Sequence, residues 1–364
     1  MAENNVQKIP VAVLAGTGMV GQRFIQLLEN HPWFEVAAVS GSQRSEGKPY
    51  GEICRWVLPE RMPESVKRLR VRRSTPDEID TPIVFSALPS GAAKEIEPAF
   101  ARAGAAVCSN ASAYRNEPDV PILLPEVNPN HLGLIRVQQA KRGWEGLIVT
   151  NSNCTSTGMT VVLKALQQAF GVEKVFATSL QALSGAGYPG VASLDIIGNV
   201  IPFIGGEEEK VESEPLKILA SLEGEELKLP DAVISAHTNR VAVVDGHTVC
   251  LSIALGERVD ISQIKNTLAN YSPEEAGAGL PSTPKPVIEV RPEENRPQPR
   301  LDHAAGKGMT TVVGRIRPDK IFDVRLVVFS HNTIRGAAGG SIYNAELLIK
   351  SGFINGIENP FQNQ

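Results

Sequence analysis

The chain has little of what a secreted, metal-scaffolded or membrane protein needs. Only four cysteines, Cys54, Cys108, Cys154 and Cys250, occur in 364 residues. They are widely spaced and form no C-x-x-C pair, which disfavours a disulfide framework and a structural zinc site. The reducing cytoplasm is the expected compartment. No run of about eighteen apolar residues is present, so no transmembrane helix is expected. The opening residues, MAENNVQKIP, lack an apolar signal core. Charge of one sign is lacking too: 36 Lys and Arg against 40 Asp and Glu leave a formal net charge of -4. That balance gives no support to nucleic acid or an anionic membrane as partner. The one basic run, KRLRVRR at 67–73, alternates like a solvated strand face.

What is present fits an ordinary globular protein of about two domains, with 42% hydrophobic and 21% charged residues. Short apolar runs at Val11–Ala15, Glu35–Ser40, Ile83–Ala87 and Ala105–Ser109 read as buried strands. Helical stretches at Met19–Glu29 and Ala93–Ala103 lie between them, and repeated βαβ units predict a parallel sheet covered by helices. After a strand at Gly146–Thr150 the texture changes. A helix is expected over Thr155–Phe170 and a long strand over Lys174–Leu183. Arg240–Val244 and Thr248–Leu255 read as a hairpin about Asp245-Gly246, and Thr311–Arg317 pairs with Ile321–Phe329 about a Pro-Asp-Lys turn. The Pro-rich stretch Pro281–Pro299 reads as a surface loop, and a last helix covers about Gly340–Lys350. The expected class is α/β. A Rossmann-type parallel-sheet domain over residues 1–153 is completed by a C-terminal helix within 333–364. An α+β domain with a largely antiparallel sheet fills 154–332.

Gly16-Thr17-Gly18-Met19-Val20-Gly21 matches G-x-G-x-x-G, a weak pattern alone. Here it joins a strand to a helix, the context a dinucleotide fingerprint requires. Gly16 permits the tight turn, Gly18 lets the backbone approach a pyrophosphate, and Gly21 lets helix and strand pack closely. The helix start then offers free N–H groups to the phosphates. The second strand runs into Ser40-Gly41-Ser42-Gln43-Arg44, with no carboxylate to repel a 2′-phosphate. Ser40, Ser42 and Arg44 are therefore expected to bind that phosphate, and the expected cofactor is NADP(H). Ser86 and Leu88, in the turn after another buried strand, are candidate neighbours of the nicotinamide half, as are Ser184, Gly185 and Gly187 in a later glycine-rich loop.

Cys154 stands in NSNCTSTG, between a strand and a helix. At a helix start, unpaired N–H groups and the dipole favour thiolate over thiol, and polar neighbours fit an accessible nucleophile. The blander reading, a buried structural cysteine, suits Cys108 and Cys250, which lie in apolar strands. A thiol nucleophile needs a proton acceptor, and His237 and His247 both lie near strand ends, where either could serve. Arg240, at a strand end, suits two-point contact with a substrate carboxylate. Gln181 leads into the glycine-rich loop. Glu207, Glu208 and Lys210 open a helix, where acids are expected from the dipole alone.

Together these motifs resemble aspartate-semialdehyde dehydrogenase, most closely its archaeal and fungal branch. The matching stretches are VAVLAGTGMVGQRF, SNCTSTGMT, SLQALSGAGYPG, IPFIGGEEEKVESE, HTNRVAVVDGHT and NTIRGAAGGSIYNAELL, in family order over nearly the whole chain. The resemblance implies NADPH-dependent reduction of L-aspartyl-4-phosphate through a thioester on Cys154. In it His247, rather than His237, is the acid–base group. Arg240 would bind the substrate α-carboxylate, and Glu207, or its neighbour Glu208, the amino group. Lys210, Arg115 and Asn110 would bind phosphate, Gln181 would lie beside the thioester, and Asn332 would approach the nicotinamide. A homodimer or homotetramer joined through the second domain is implied. Related chemistries on the same skeleton are N-acetyl-glutamyl-phosphate reduction and acyl-CoA reduction, as by malonyl-CoA reductase. A non-catalytic NADP-binding regulator would show a decayed Cys, His or Arg, and all three are present.

Overall fold

The structure is a computed structural model that describes residues 8–354 and residue 357. Residues 1–7, the start of the polar opening stretch, and most of the end of segment 333–364 lie outside the described residues. The chain divides into two compact units. Unit 1 comprises residues up to 121, 131–151 and those from 341 onward; unit 2 comprises 122–130 and 152–340. Among the described residues no helix is long and apolar enough to cross a membrane.

Unit 1 is built on β1 (Ile9–Leu14), β2 (Phe34–Ser40), β3 (Val71–Arg72), β4 (Ile83–Ser86), β5 (Ala106–Ser109) and β6 (Leu147–Thr150). They form one sheet in the order β3-β2-β1-β4-β5-β6, parallel at every pairing. Every residue of β4, β5 and β6 is buried, which explains why each is apolar up to a closing Ser or Thr: a parallel sheet is covered on both faces. The first crossover helix, Met19–Leu28, buries Gly21, Phe24, Ile25 and Leu28 along one stripe. Phe24 stacks on Phe85 of β4 with ring centroids 5.0 Å apart. The sheet grows one way from β1 to β3 and the other way from β4 to β6. The crevice beyond the strand ends at such a reversal is where open parallel sheets bind ligands, and the glycine turn follows β1 at that point.

The main segment of unit 2 opens on the helix Cys154–Phe170, capped by Asn153 and ended at Gly171, whose φ is 72°. Its sheet comprises β7 (Val172–Gln181), β10 (Val233–Arg240), β11 (His247–Leu255), β12 (Ile288–Val290), β13 (Thr311–Pro318) and β14 (Val324–Ser330). Between β7 and β10 a small hairpin pairs β8 (Ser221–Glu223) with β9 (Glu226–Lys228). The order is β10-β7-β11-β14-β13-β12. The three central pairings are antiparallel and the two outer ones parallel, a mixed, mostly antiparallel sheet. One face carries Val175, Ala177, Val249, Leu251, Leu326 and Val328 into a core shared with Met159, Val162, Leu163 and Leu166 of the helix. A Cβ on Gly158 would stand 2.5 Å from Ser330 Cβ, so the first turns of the helix lie directly on β14.

Three expectations need correction. The hairpin over Arg240–Val244 and Thr248–Leu255 does not form: β10 ends at Arg240 and runs parallel to β7, which stands between it and β11. The stretch Val233–Arg240 (VISAHTNR) conceals its strand because its exposed positions are mostly polar; Ile234, Ala236, Thr238 and Arg240 point inward. Asp245-Gly246 does turn the chain, with Gly246 at φ 94° against the Phe329 ring. The stretch 281–299 is not all loop, since Ile288–Val290 adds a parallel edge strand to β13. Cys250 is exposed rather than buried, because it points from β11 to the face opposite the core. Cys108 is buried, as expected.

Candidate active site

The nucleophile candidate is placed by a helix cap. Asn153 Oδ1 accepts the N–H of Thr155 at 2.9 Å and of Ser156 at 3.2 Å, which starts the helix at Cys154. Cys154 Sγ lies 3.1 Å from His247 Nε2. The other ring nitrogen, Nδ1, accepts the Ala182 backbone N–H at 3.0 Å. A nitrogen that accepts cannot also carry a proton, so the neutral imidazole carries its hydrogen on Nε2, facing the sulfur. Burial pushes the His247 pKa down to about 3, helped by the Arg240 and His331 charges. The ring is therefore uncharged near neutral pH. His237, the other candidate from sequence, is exposed on the opposite face of β10, edge-on to Phe176 at 5.6 Å.

Ala182 fixes a second group. Its carbonyl accepts Arg240 Nη1 at 2.7 Å. Burial lowers the Arg240 pKa, and the neighbouring Cys154 and Glu207 charges oppose that shift. Gly185 makes room for both side chains: a Cβ there would stand 2.8 Å from Arg240 Nη1 and 3.0 Å from His247 Cε1. One residue of backbone after β7 thus orients the imidazole and the guanidinium together.

Glu207 forms the third part. Its Oε1 accepts Asn153 Nδ2 at 2.8 Å and Gln181 Nε2 at 3.2 Å, and its Oε2 lies 3.5 Å from Lys210 Nζ. Gln181 also reaches Ser179 Oγ at 3.2 Å. The geometry separates the two glutamates left open by sequence. Glu208 instead accepts the Thr238 N–H at 3.0 Å, and Glu212 that of Ala236 at 2.9 Å, so both blunt the free edge of β10. Asn153 is held a further way, by its own N–H on Glu214 Oε2 at 2.5 Å. The parts played by Glu214 and the Ala182 backbone escaped the sequence reading. A mid-helix glutamate and an alanine in an apolar run carry no local signal.

Ser184 Oγ accepts Asn332 Nδ2 at 2.8 Å, and Asn332 Oδ1 accepts the Gly246 N–H at 2.7 Å. Asn332 is thus buried and ties two loops of unit 2 together. Gly187, with φ 73°, closes the short 3-10 turn after β7.

In unit 1 the glycine turn has the form a dinucleotide needs. A Cβ on Gly16 would meet Val39 Cγ1 at 2.3 Å, and one on Gly21 would meet Ala15 O at 2.5 Å. On Gly18 the nearest atom, Ala15 O, would be 3.4 Å away, ordinary contact, so this glycine is far less crowded than Gly16 and Gly21. Gly18 is the N-cap and no side chain caps the helix, so the N–H groups of its first turn at Met19, Val20 and Gly21 remain for a ligand. Thr17 O accepts Gln22 Nε2 at 2.9 Å, which braces the turn from behind. These residues fit a bound pyrophosphate. Ser42 and Arg44 are exposed beyond β2. Ser40 departs from expectation: it is fully buried, and its hydroxyl accepts the Ala15 N–H at 3.2 Å and pairs with Ser74 at 2.7 Å. It braces the turn instead of facing a 2′-phosphate. Ser86 is buried at the end of β4, Leu88 is half-buried, and Asn110 and Arg115 follow β5.

Two family models match: "Semialdehyde dehydrogenase, NAD binding domain" over residues 10–135, and "Semialdehyde dehydrogenase, dimerisation domain" over 163–335. Aspartate-semialdehyde dehydrogenase of Archaeoglobus fulgidus is 50% identical over 344 residues, covering 94% of this chain and 99% of the relative. The Schizosaccharomyces pombe enzyme of that name is 46% identical, with 94% and 99% covered. A crystal structure of aspartate semialdehyde dehydrogenase with NADP from Candida albicans superposes with a TM-score of 0.88 at 40% identity, covering 96% of this chain and 100% of that one. With sequence relatives at this identity over almost its whole length, the chain belongs to the aspartate-semialdehyde dehydrogenase family.

Proposed function

We propose that this protein catalyses the reversible NADPH-dependent reduction of L-aspartyl-4-phosphate to L-aspartate 4-semialdehyde with release of phosphate. The reaction serves biosynthesis of the aspartate-family amino acids lysine, methionine, threonine and isoleucine. The observation that carries this reading is Cys154 Sγ, at the first position of a helix, 3.1 Å from His247 Nε2. Relatives bearing the enzyme's name across archaea and fungi support it.

Cys154 attacks the acyl carbon and displaces phosphate, leaving a thioester. Splitting acyl transfer from reduction replaces one difficult step by two easier ones. NADPH, when bound, supplies the hydride that reduces the thioester. His247 Nε2–H donates a hydrogen bond to the carbonyl oxygen as charge develops there, and backbone N–H groups at the helix start share that charge. Collapse of the tetrahedral adduct breaks the C–S bond to free the aldehyde and the Cys154 thiolate. Arg240 holds the substrate α-carboxylate and Glu207 its amino group. Lys210, Arg115 and Asn110 take the phosphate, and Gln181 lies beside the thioester. Residues 16–21 hold the pyrophosphate, and Ser42 and Arg44 the 2′-phosphate. Ser86, Leu88, Ser184, Gly185, Gly187 and Asn332 are proposed for the rest of the cofactor. Residues 1–153 with 333–364 are proposed as the cofactor domain and 154–332 as the catalytic and dimerisation domain, apart from 122–130, 152–153 and 333–340, which belong to unit 2. The matched dimerisation model supports a homodimer or homotetramer, and the family's metabolic role supports a cytoplasmic site.

The test is an absorbance assay of NADPH formation from aspartate semialdehyde, phosphate and NADP⁺, beside NAD⁺ and CoA arms. Turnover that needs phosphate and prefers NADP⁺ is expected. Turnover that needs CoA in place of phosphate would overturn the proposal in favour of an acyl-CoA reductase.

A further inference from the structure

Glu97 is a carboxyl that the proposed chemistry does not use, in the middle of the helix Ser90–Arg102 and fully buried. Its Oε1 accepts the Ser109 hydroxyl at 2.6 Å, and Ser109 Oγ accepts the Ala111 N–H at 3.0 Å. The same helix grips the next stretch through Ser90, whose Oγ bonds Ser112 Oγ at 2.8 Å. Asn110 lies between these two fastenings, and Arg115 follows three residues after the second. The Asn110 N–H is held by Ser86 O at 3.0 Å, and Arg115 Nη2 donates to Asn110 O at 2.8 Å. Asn110 Oδ1 accepts Asn151 Nδ2 at 3.3 Å, which leaves Asn110 Nδ2 as a buried donor with no protein acceptor. That donor suits an anion. A carboxylate behind an anion-binding turn is costly electrostatically, and a neutral acceptor would fasten Ser109 as well. Its presence therefore asks for a role in which the charge matters.

We propose that Glu97 is a positioning residue for inorganic phosphate: through Ser109 it sets the turn that presents Asn110 and Arg115, and its charge competes with phosphate for Arg115. The inference rests on Asn110 and Arg115 being the phosphate residues proposed above. The groups facing the carboxyl are Ser109 from β5, Ser86 from β4, and Arg115 and Tyr114 from the turn. Burial pushes Glu97 up to about 7, against smaller opposing effects of Ser109, Ser86 and Arg115. A carboxyl raised in this way is neutral at low pH and ionises as pH rises through about 7. Phosphate entering beside Arg115 favours the neutral form, so phosphate and a proton bind together. Above that pH, the ionised Glu97 weakens the hold on phosphate.

The experiment measures KM for inorganic phosphate in the aldehyde-oxidising direction from about pH 6 to 8.5, a range set to span the carboxyl's titration. Full-length wild type is compared with Glu97→Gln, Glu97→Ala and Ser109→Ala. The ratio of variant to wild-type KM at each pH cancels the ionisation of phosphate itself. Glu97→Gln keeps the acceptor without the charge. Its KM should match wild type at the acid end and fall about threefold to tenfold below it at the alkaline end, the effect of removing one nearby charge. Ser109→Ala should raise KM for phosphate about tenfold at every pH, as for a lost hydrogen bond at a charged group, while KM for the aldehyde and for NADP⁺ stays put. Glu97→Ala should do the same at the acid end, its ratio then falling about threefold to tenfold toward the alkaline end because it removes the charge as well. A Glu97→Gln ratio flat across the range overturns the inference, as does a rise in all three KM values together in Ser109→Ala. Arg115→Ala separates the two proposals. If it leaves KM for phosphate unchanged, the assignment of the phosphate residues has failed; if it raises KM while the Glu97→Gln ratio stays flat, only the role of Glu97 has failed.

Discussion

Adding a single carbon at Gly185 tests the geometry of the site most directly. An alanine Cβ there would lie 2.8 Å from Arg240 Nη1, 3.0 Å from His247 Cε1 and 3.2 Å from His247 Nε2. Uncharged contact between such atoms needs about 3.5 Å, so the guanidinium must withdraw by roughly 0.7 Å. Arg240 Nη1 is held at 2.7 Å by Ala182 O, and that shift can stretch the contact to about 3.4 Å, past the usual range of about 2.7–3.2 Å for an N–H···O bond, so most of its strength is lost. A lost hydrogen bond at a charged group costs about 1.5–3 kcal/mol, which is about tenfold to a hundredfold in affinity. Gly185 is exposed and is not among the glycines with positive φ, so alanine fits its backbone and folding should be undisturbed. Gly185→Ala is therefore expected to raise KM for aspartate semialdehyde by that factor, with a smaller fall in kcat from the pressure on the imidazole. Initial rates of NADPH formation with varied aldehyde measure it, and thermal unfolding checks the fold. A KM within about twofold of wild type would refute the argument that this glycine is needed to seat Arg240, since even the weaker estimate exceeds that.

Cys154→Ala should abolish phosphate-dependent NADP⁺ reduction while NADPH binding, followed by fluorescence, stays near wild type; full activity would refute covalent catalysis. With its pKa near 3, His247 should remain uncharged from about pH 5 to 8, a range above that value, and histidine-labelled NMR should find its hydrogen on Nε2. An imidazole titrating near its ordinary value would contradict that assignment. The sign for stability follows: the unfolded histidine takes a proton near 6.5 and the folded one only near 3, so its contribution is complete above 6.5 and is lost as pH falls through that window. Arg44→Ala should raise KM for NADP⁺ about tenfold, as one charge-assisted contact is worth, and leave that for NAD⁺ unchanged. Equal effects on both cofactors would remove Arg44 from the 2′-phosphate.

Much of this architecture is written locally. In β4, β5 and β6 an unbroken apolar run is itself the signature of a strand covered on both faces, and the glycine turn needs its three glycines for reasons of close contact that hold wherever it occurs. Cys154 at a helix start was legible because Asn153 and the residues after it are a cap followed by a helical run. By contrast, β10 was misplaced. Its partner β7 lies more than fifty residues earlier in the chain, and nothing in Val233–Arg240 announces a parallel neighbour. The burial of Cys250 was misjudged for a similar reason, since an apolar strand does not reveal which of its two faces meets the core.

The amino-acid order alone determined the parallel sheet, the phosphate turn, the helix that presents Cys154 and the identity of the family. These depend on residues that touch neighbours a few positions away or repeat at a fixed spacing. Tertiary structure decided which histidine meets the sulfur, which glutamate joins Asn153 and Gln181, and that Ser40 braces the turn instead of facing solvent. Each of those outcomes depends on side chains tens of residues apart arriving within hydrogen-bond distance, which only the completed packing of the sheets sets.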